Sequence, residues 1–98
     1  MHEQIEQDFP VFTSDGEVAV GSVSDVRRGL PDLLIYIENA GEFLVPKSSV
    51  AAVHSGKVIV NLERLGLHIR VRDAFANALN SEDRFYAAPA AGRDAIAR

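Results

Sequence analysis

The sequence predicts an all-β fold, a small six-stranded β-barrel followed by a short C-terminal helix and a tail. Three observations predict it. Short segments alternate between apolar and polar residues, turn signals recur about every ten residues, and a length of 98 residues leaves room for one domain. We divide the chain into an N-terminal arm (residues 1–8), the barrel (9–72) and the C-terminal helix and tail (73–98).

The first two predicted strands flank a polar turn. Residues 9–12 predict a short strand, which Pro10 confines to a sheet edge or a strand start. Asp15 and Gly16 predict the turn after it. Apolar residues then alternate from position 18 to position 26, but the phase slips across Gly21. We therefore expect a β-bulge or a sharp bend at this glycine.

The middle of the chain predicts two hairpins. Residues 33–37 are apolar on both faces, which favours a central strand. A tight turn at residues 39–41 follows, Pro46 ends the returning strand, and Gly56 marks the second turn. The returning strand and the two strands after it are predicted at residues 43–45, 50–53 and 57–62.

Residues 67–72 alternate cleanly and predict the last strand, so the segments give six or seven short strands, which favours a small barrel. Asp73 can then cap a short helix that runs through Asn80, with Phe75 and Leu79 on one side at i, i+4 spacing. We expect this helix to cover either an open end of the barrel or the outer face of the central strand at residues 33–37.

Composition excludes several classes of function. The chain has no cysteine, so disulfides and thiolate metal sites are excluded. Its net charge of −4 disfavours non-specific nucleic-acid binding, although residues 50–98, with seven bases and five acids, leave a local basic patch open. No apolar run approaches the ~18 residues of a membrane span. The N-terminus lacks the apolar stretch of a signal peptide, so we expect a cytoplasmic location.

No catalytic constellation stands out, and we expect a non-enzymatic protein without metal or cofactor. His2, His54 and His68 are not at metal-ligand spacing from one another or from carboxylates. No serine lies in a nucleophile elbow. A six-stranded barrel filled by Val, Ile and Leu also offers no polar group that could bind or activate a substrate.

Two sets of side chains are candidate surface sites. The first is a surplus of apolar residues, which predicts a covering partner or a second copy of the chain. Its members are Leu34, Tyr36, Ile59, Phe85 and Tyr86.

The second candidate is basic. His68, Arg70 and Arg72 fall on one face of the predicted last strand, where they could contact an anion or RNA. The competing interpretation is a solvated face whose arginines oppose association at an edge. We favour the second interpretation, because no aromatic side chains that could stack on bases lie among these residues.

The turn and strand-end residues together resemble the PRC-barrel superfamily, the small barrel of the photosynthetic reaction-centre H subunit and of the second half of ribosome maturation factors. The resemblance covers roughly residues 11–71. The residues that carry it are Asp15, Gly16, Gly21, Val23, Pro46, Val50 and Gly56.

This resemblance implies an adaptor that binds a macromolecule or itself, as a homodimer or higher oligomer. Two features of these relatives are absent from the sequence: the membrane helix of the reaction-centre subunit and the RNA-processing domain of the maturation factor. The sequence therefore predicts a self-associating protein-interaction module. An RNA- or ribosome-associated factor that uses His68, Arg70 and Arg72 is the alternative.

Overall fold

A computed structural model describes residues 4–13 and 18–80. Within these residues the chain is mostly β, with a curled half-barrel sheet of six strands and one short α-helix. The six strands and the helix at the end confirm those elements of the predicted fold. The strands are β1 (Pro10–Thr13), β2 (Gly21–Asp25), β3 (Asp32–Ile37), β4 (Gly41–Pro46), β5 (Val50–His54) and β6 (Lys57–Val60); the helix is α1 (Ile69–Asn80).

The strands lie in the order β4-β3-β2-β1-β6-β5. All neighbours are antiparallel except β1 and β6, which pair in parallel with Val11 opposite Val58. Short 3₁₀ turns connect β4 to β5 (Lys47–Ser49) and follow β6 (Leu62–Leu65). In the described part of the chain, β4 and β5 are therefore the two edges of the sheet.

The hairpins form where the sequence supplies residues that tolerate a positive φ. Ser55 and Gly56 have φ of 55° and 70° in the two-residue turn between β5 and β6, as a type I′ turn requires. Asn39 and Gly41 have φ of 67° and 97° between β3 and β4. The predicted turns at residues 39–41 and at Gly56 are confirmed. The turn residues Asp15 and Gly16 lie outside the described residues.

Gly21 has a different role from the predicted one. The pairing of β2 with β3 is regular from Gly21 to Val23, and the register shifts between Val23 and Asp25. The irregularity in β2 therefore lies a few residues later than expected. Gly21 is needed because a Cβ atom there would lie 2.0 Å from the carbonyl oxygen of Tyr36. Close approach of β3 excludes a side chain at this position.

The core lies on the concave side of the sheet, where β-strand alternation directs one set of side chains. Phe75 and Ala78 of α1 are fully buried in the same apolar cluster as Leu33 and Ile35 of β3. The helix thus packs on the inner face of β3 and not on its outer face, where Tyr36 is exposed in the described structure. The expectation that the helix would cover the outer face of residues 33–37 is therefore wrong. The largest fully buried side chains are Phe75, Leu33, Ile35, Ile37, Leu65, Val11, Val20, Val23, Val45, Val53, Val58 and Val60.

The predicted last strand at residues 67–72 is wrong. Leu67 lies in a turn, and the helix, predicted to begin after Asp73, begins at Ile69. The buried positions Val71, Ala74, Phe75 and Ala78 follow a helical i, i+3, i+4, i+7 pattern. The alternation misled because its three apolar residues do not share a face: Leu67 and Ile69 are exposed, whereas Val71 is buried in the core.

Candidate interaction site

A shallow groove of about 560 Å³ lies between the start of α1 and β4, which is an edge strand of the sheet in the described part of the chain. Three of the large apolar side chains that the described structure leaves exposed line it. Leu44 is 47% exposed, Leu67 93% and Ile69 56%. Exposed apolar residues that cluster around one concavity mark a contact surface more strongly than the same residues scattered singly.

Strand alternation positions the β4 wall of the groove. β4 pairs with β3 over its full length, with Leu44 opposite Leu34 and Glu42 opposite Tyr36. Val45 is buried and Phe43 is partly buried against the core, while Leu44 and Glu42 point outward. The sequence Gly-Glu-Phe-Leu-Val-Pro thus places an apolar and an acidic side chain on the exposed face of an edge strand.

Main-chain hydrogen bonds fix the opposite wall. The N–H of His68 donates to the carbonyl of Leu65 (2.9 Å), and the N–H of Ile69 donates to Leu67 (2.8 Å). The amide of Arg72 then donates to His68 (3.0 Å), which is the first i to i−4 bond of the helix. This tight turn holds Leu67 and Ile69 off the buried stripe of α1, so both project from the protein body.

The predicted apolar contacts do not all meet. Leu34 and Tyr36 share the outer face of β3, where Tyr36 is 39% exposed. Ile59 lies on β6, which is separated from β3 by β2 and β1. Its outward neighbours include Phe12, whose ring centroid lies 5.3 Å from Lys57 Nζ. Phe85 and Tyr86 lie outside the described residues.

The basic candidates do not share one face in the structure. His68, Arg70 and Arg72 are all exposed, but the helix separates Arg70 from Arg72 by about 200° of rotation, since successive residues turn by about 100°. His68 and Arg72 are spaced i, i+4 at the start of the helix, and Arg70 lines the groove beside His68. The single basic face inferred from strand alternation is therefore wrong.

Pro46 lies at the end of β4, opposite Asp32, as expected for a residue that ends a strand. Its carbonyl accepts a hydrogen bond from the buried Ser49 hydroxyl (2.7 Å), which anchors the turn into β5. Arg27 pairs with Asp32 nearby (Nε–Oδ1, 3.0 Å), and Lys47 Nζ donates to the Arg27 carbonyl (3.0 Å). These contacts fix the end of β4 that is farther from the hairpin turn.

Leu44, Leu67 and Ile69 were missed as contact residues from the sequence. The sequence predicts a strand at residues 43–45 but does not indicate which of its side chains are exposed. It also places Leu67 and Ile69 on the apolar side of a strand, where the structure has a turn and the start of a helix. A helical interpretation of residues 69–80 would have placed Ile69 outside the apolar stripe formed by Val71, Ala74, Phe75 and Ala78. Leu67 precedes the helix and lies in a turn.

Other kinds of site find no support in the described structure. Among residues 4–13 and 18–80, no group of three or more His, Asp or Glu side chains could hold a metal ion. No helix in that same part of the chain is long and apolar enough to cross a membrane. Comparison of the chain with known protein families, curated proteins and solved structures gives no match.

Proposed function

We propose that this protein is a non-enzymatic interaction module that associates with a second copy of itself through the groove between β4 and α1. The observation that carries the proposal is the convergence of Leu44, Leu67 and Ile69 on one concave surface. Full burial of such a side chain contributes about 1.5–3 kcal/mol. Association would remove all three from water at once and so offset the entropic cost of binding.

Sedimentation velocity over a range of protein concentrations tests this function. We expect a monomer–dimer or higher equilibrium that Leu67→Ser weakens. Leu67 is almost fully exposed, so this change should leave the folded monomer intact. Leu30→Ser is the matched control, because Leu30 is similarly apolar and 46% exposed but does not line the groove. A protein that stays monomeric at all concentrations, or that responds equally to both changes, would contradict the proposal.

We also propose that the half-barrel is of the PRC type. The features that support it are the six strands, the close approach at Gly21, the turn at Gly56 and the strand end at Pro46. In this proposal the sheet stays open between β4 and β5, so nuclear Overhauser contacts between strands should follow the order β4-β3-β2-β1-β6-β5. Contacts between β4 and β5 within one copy would contradict the open edge at β4. The cytoplasmic location inferred from the sequence stays a prediction.

The RNA- or ribosome-associated function is the competing proposal. Its support is the exposure of His68, Arg70 and Arg72 around the first turn of α1. Under this alternative, replacing Arg70 and Arg72 by alanine would weaken RNA binding and flatten its dependence on salt. An apolar interface between two copies would respond little to salt. The separation of the two arginines around the helix favours self-association.

A further inference from the structure

We propose that two copies join by antiparallel pairing of their β4 strands, with Glu42 of each opposite the partner's Leu44 and the two Phe43 residues opposite each other. This inference rests on the proposed self-association and specifies its geometry. It would extend the sheet of one copy into the sheet of the other across a two-fold axis.

The first step is the direction of the β4 main-chain groups. The N–H of Lys47 donates to the carbonyl of Pro31 (2.8 Å), one step beyond the Asp32–Pro46 pair at the end of the β3–β4 ladder. Hydrogen-bonded pairs alternate along an antiparallel ladder, so Val45 and Phe43 also bond to β3. The N–H and C=O groups of Glu42 and Leu44 therefore point away from the sheet, toward the groove.

The second step is the register. A two-fold axis beside Phe43 pairs Glu42 with the partner's Leu44 on both sides. Over the two copies, the outward N–H and C=O groups of Glu42 and Leu44 are four donors and four acceptors, and this register hydrogen-bonds all of them. An axis beside Glu42 would place two carboxylates directly opposite each other, which is unfavourable. An axis beside Leu44 would oppose Glu42 to the partner's Pro46, which has no N–H to donate. The axis at Phe43 is therefore the favoured one.

The third step is the side chains. In this register the two Phe43 rings form a non-hydrogen-bonded pair, the type in which cross-strand side chains lie closest. Phe43 is partly buried and lines the groove, so part of its ring is available for such a contact. On the opposite face of the strands, each exposed Leu44 would pack against the aliphatic part of the partner's Glu42.

The occupant we infer is a second copy because the surface is complementary to itself. Glu42 and Leu44 present two donors and two acceptors at the β4 edge, and a two-fold axis beside Phe43 matches each to its opposite. The groove also carries both charge signs, since Glu42 lies on its strand wall and Arg70 on its helix wall. An extended segment of another protein could bind this edge even if the edge were not complementary to itself.

Disulfide trapping tests the register directly, because the chain has no cysteine and any introduced thiol is unique. Phe43→Cys should form a disulfide-linked dimer roughly tenfold faster than His54→Cys on the other edge, since only paired positions hold their Cβ atoms within bonding range. Glu42→Cys and Leu44→Cys, each alone, should be slow. An equimolar mixture of those two proteins should cross-link as a heterodimer. Positions 42 and 44 are exposed, so this arm works even if Phe43→Cys does not fold.

The outcomes separate the two proposals. A sedimenting dimer whose β4 cysteines cross-link no faster than His54→Cys would overturn the β4 pairing and leave self-association standing. Fast cross-linking of Glu42→Cys alone or Leu44→Cys alone would show a different register and would also overturn it. A monomer in sedimentation with slow cross-linking at every position would contradict both, and would assign the groove to a different occupant.

Discussion

The two edges of the sheet differ in how they meet solvent. β5 has a register shift between Val50 and Ala52, and Arg64 Nη1 donates to the Val50 carbonyl (3.3 Å). Bulges and charged side chains are devices that protect an edge from pairing with another chain. β4 pairs with β3 without a register shift, and its one charged residue is Glu42. The protein thus protects one edge and leaves the other regular, with an exposed Leu44.

The exposed, regular main chain of β4 is therefore specific to that edge and is not a general property of the sheet. The same chain places a guanidinium on a main-chain carbonyl of β5, so its sequence can protect an edge. The apolar residues Leu67 and Ile69 beside β4 add surface that water solvates poorly. This contrast between the two edges supports the proposal that β4 is a contact surface.

We expect the largest loss of stability from a substitution at Gly21 in β2, because it would disturb β3, the strand that pairs with β4. Gly21 lies against the main chain of Tyr36 in β3, and β3 pairs with β4 along the whole length of β4. Gly21→Ala would force its Cβ into main-chain atoms, so we expect a loss of about 3 kcal/mol or more in the free energy of unfolding. Urea denaturation measures it.

Gly56→Ala is the control for that change. Gly56 has a φ of 70° but no atom within 4 Å of a Cβ. The substitution costs only the strain of the left-handed conformation, about 1–2 kcal/mol. A loss at Gly21 no greater than the loss at Gly56 would show that β3 can move away and that the close approach is not fixed.

We expect an intermediate effect, on the dimer dissociation constant, from a charge introduced at the β4 edge. Leu44→Glu would place two carboxylates opposite each other on both sides of the proposed axis. We expect the dimer dissociation constant to rise by about tenfold or more, equivalent to about 1.4 kcal/mol. Sedimentation equilibrium measures the constant.

Leu44→Gln separates charge from lost apolar surface. It should weaken association less than Leu44→Glu, and His54→Glu on the other edge should leave the constant unchanged. Equal effects of Leu44→Glu and Leu44→Gln would mean that no carboxylate faces position 44, which would contradict the proposed register.

The smallest expected effect concerns the protected edge. Arg64→Ala removes the hydrogen bond to the Val50 carbonyl, and we expect a loss of about 0.5–1.5 kcal/mol in the free energy of unfolding. Thermal denaturation measures it, with the exposed Arg72→Ala as the control. An unchanged melting temperature would show that the bond contributes nothing to stability and would remove one of the two devices assigned to β5.

Local signals were sufficient to predict most of the sheet. The turn residues Asn39, Gly41 and Gly56 set the two hairpins, and the uniformly apolar segment at residues 33–37 lies in β3, an interior strand next to the edge strand β4. The parallel pairing of β1 with β6 was not predictable, because it joins Val11 to Val58 and no local pattern encodes so distant a contact.

The groove was not predictable for a related reason. It brings residues 40–44 together with residues 67–71, and one of these segments was assigned the wrong secondary structure. In the hexapeptide at residues 67–72, apolar residues alternate as in a strand. The helical stripe becomes visible only when Val71 is read together with Ala74, Phe75 and Ala78. Packing decided between two local patterns that the sequence supports equally at that point.

Amide hydrogen exchange at increasing protein concentration tests whether β4 is the edge through which two copies pair. Phe43 and Val45 donate to β3, so their amides should be protected at every concentration. The amides of Glu42 and Leu44 should exchange rapidly in dilute protein and become protected as the dimer forms, with the dissociation constant found by sedimentation. If the amides of Glu42 and Leu44 stay unprotected in a concentrated, associated sample, β4 is not the contact edge and the proposed pairing of β4 strands is wrong.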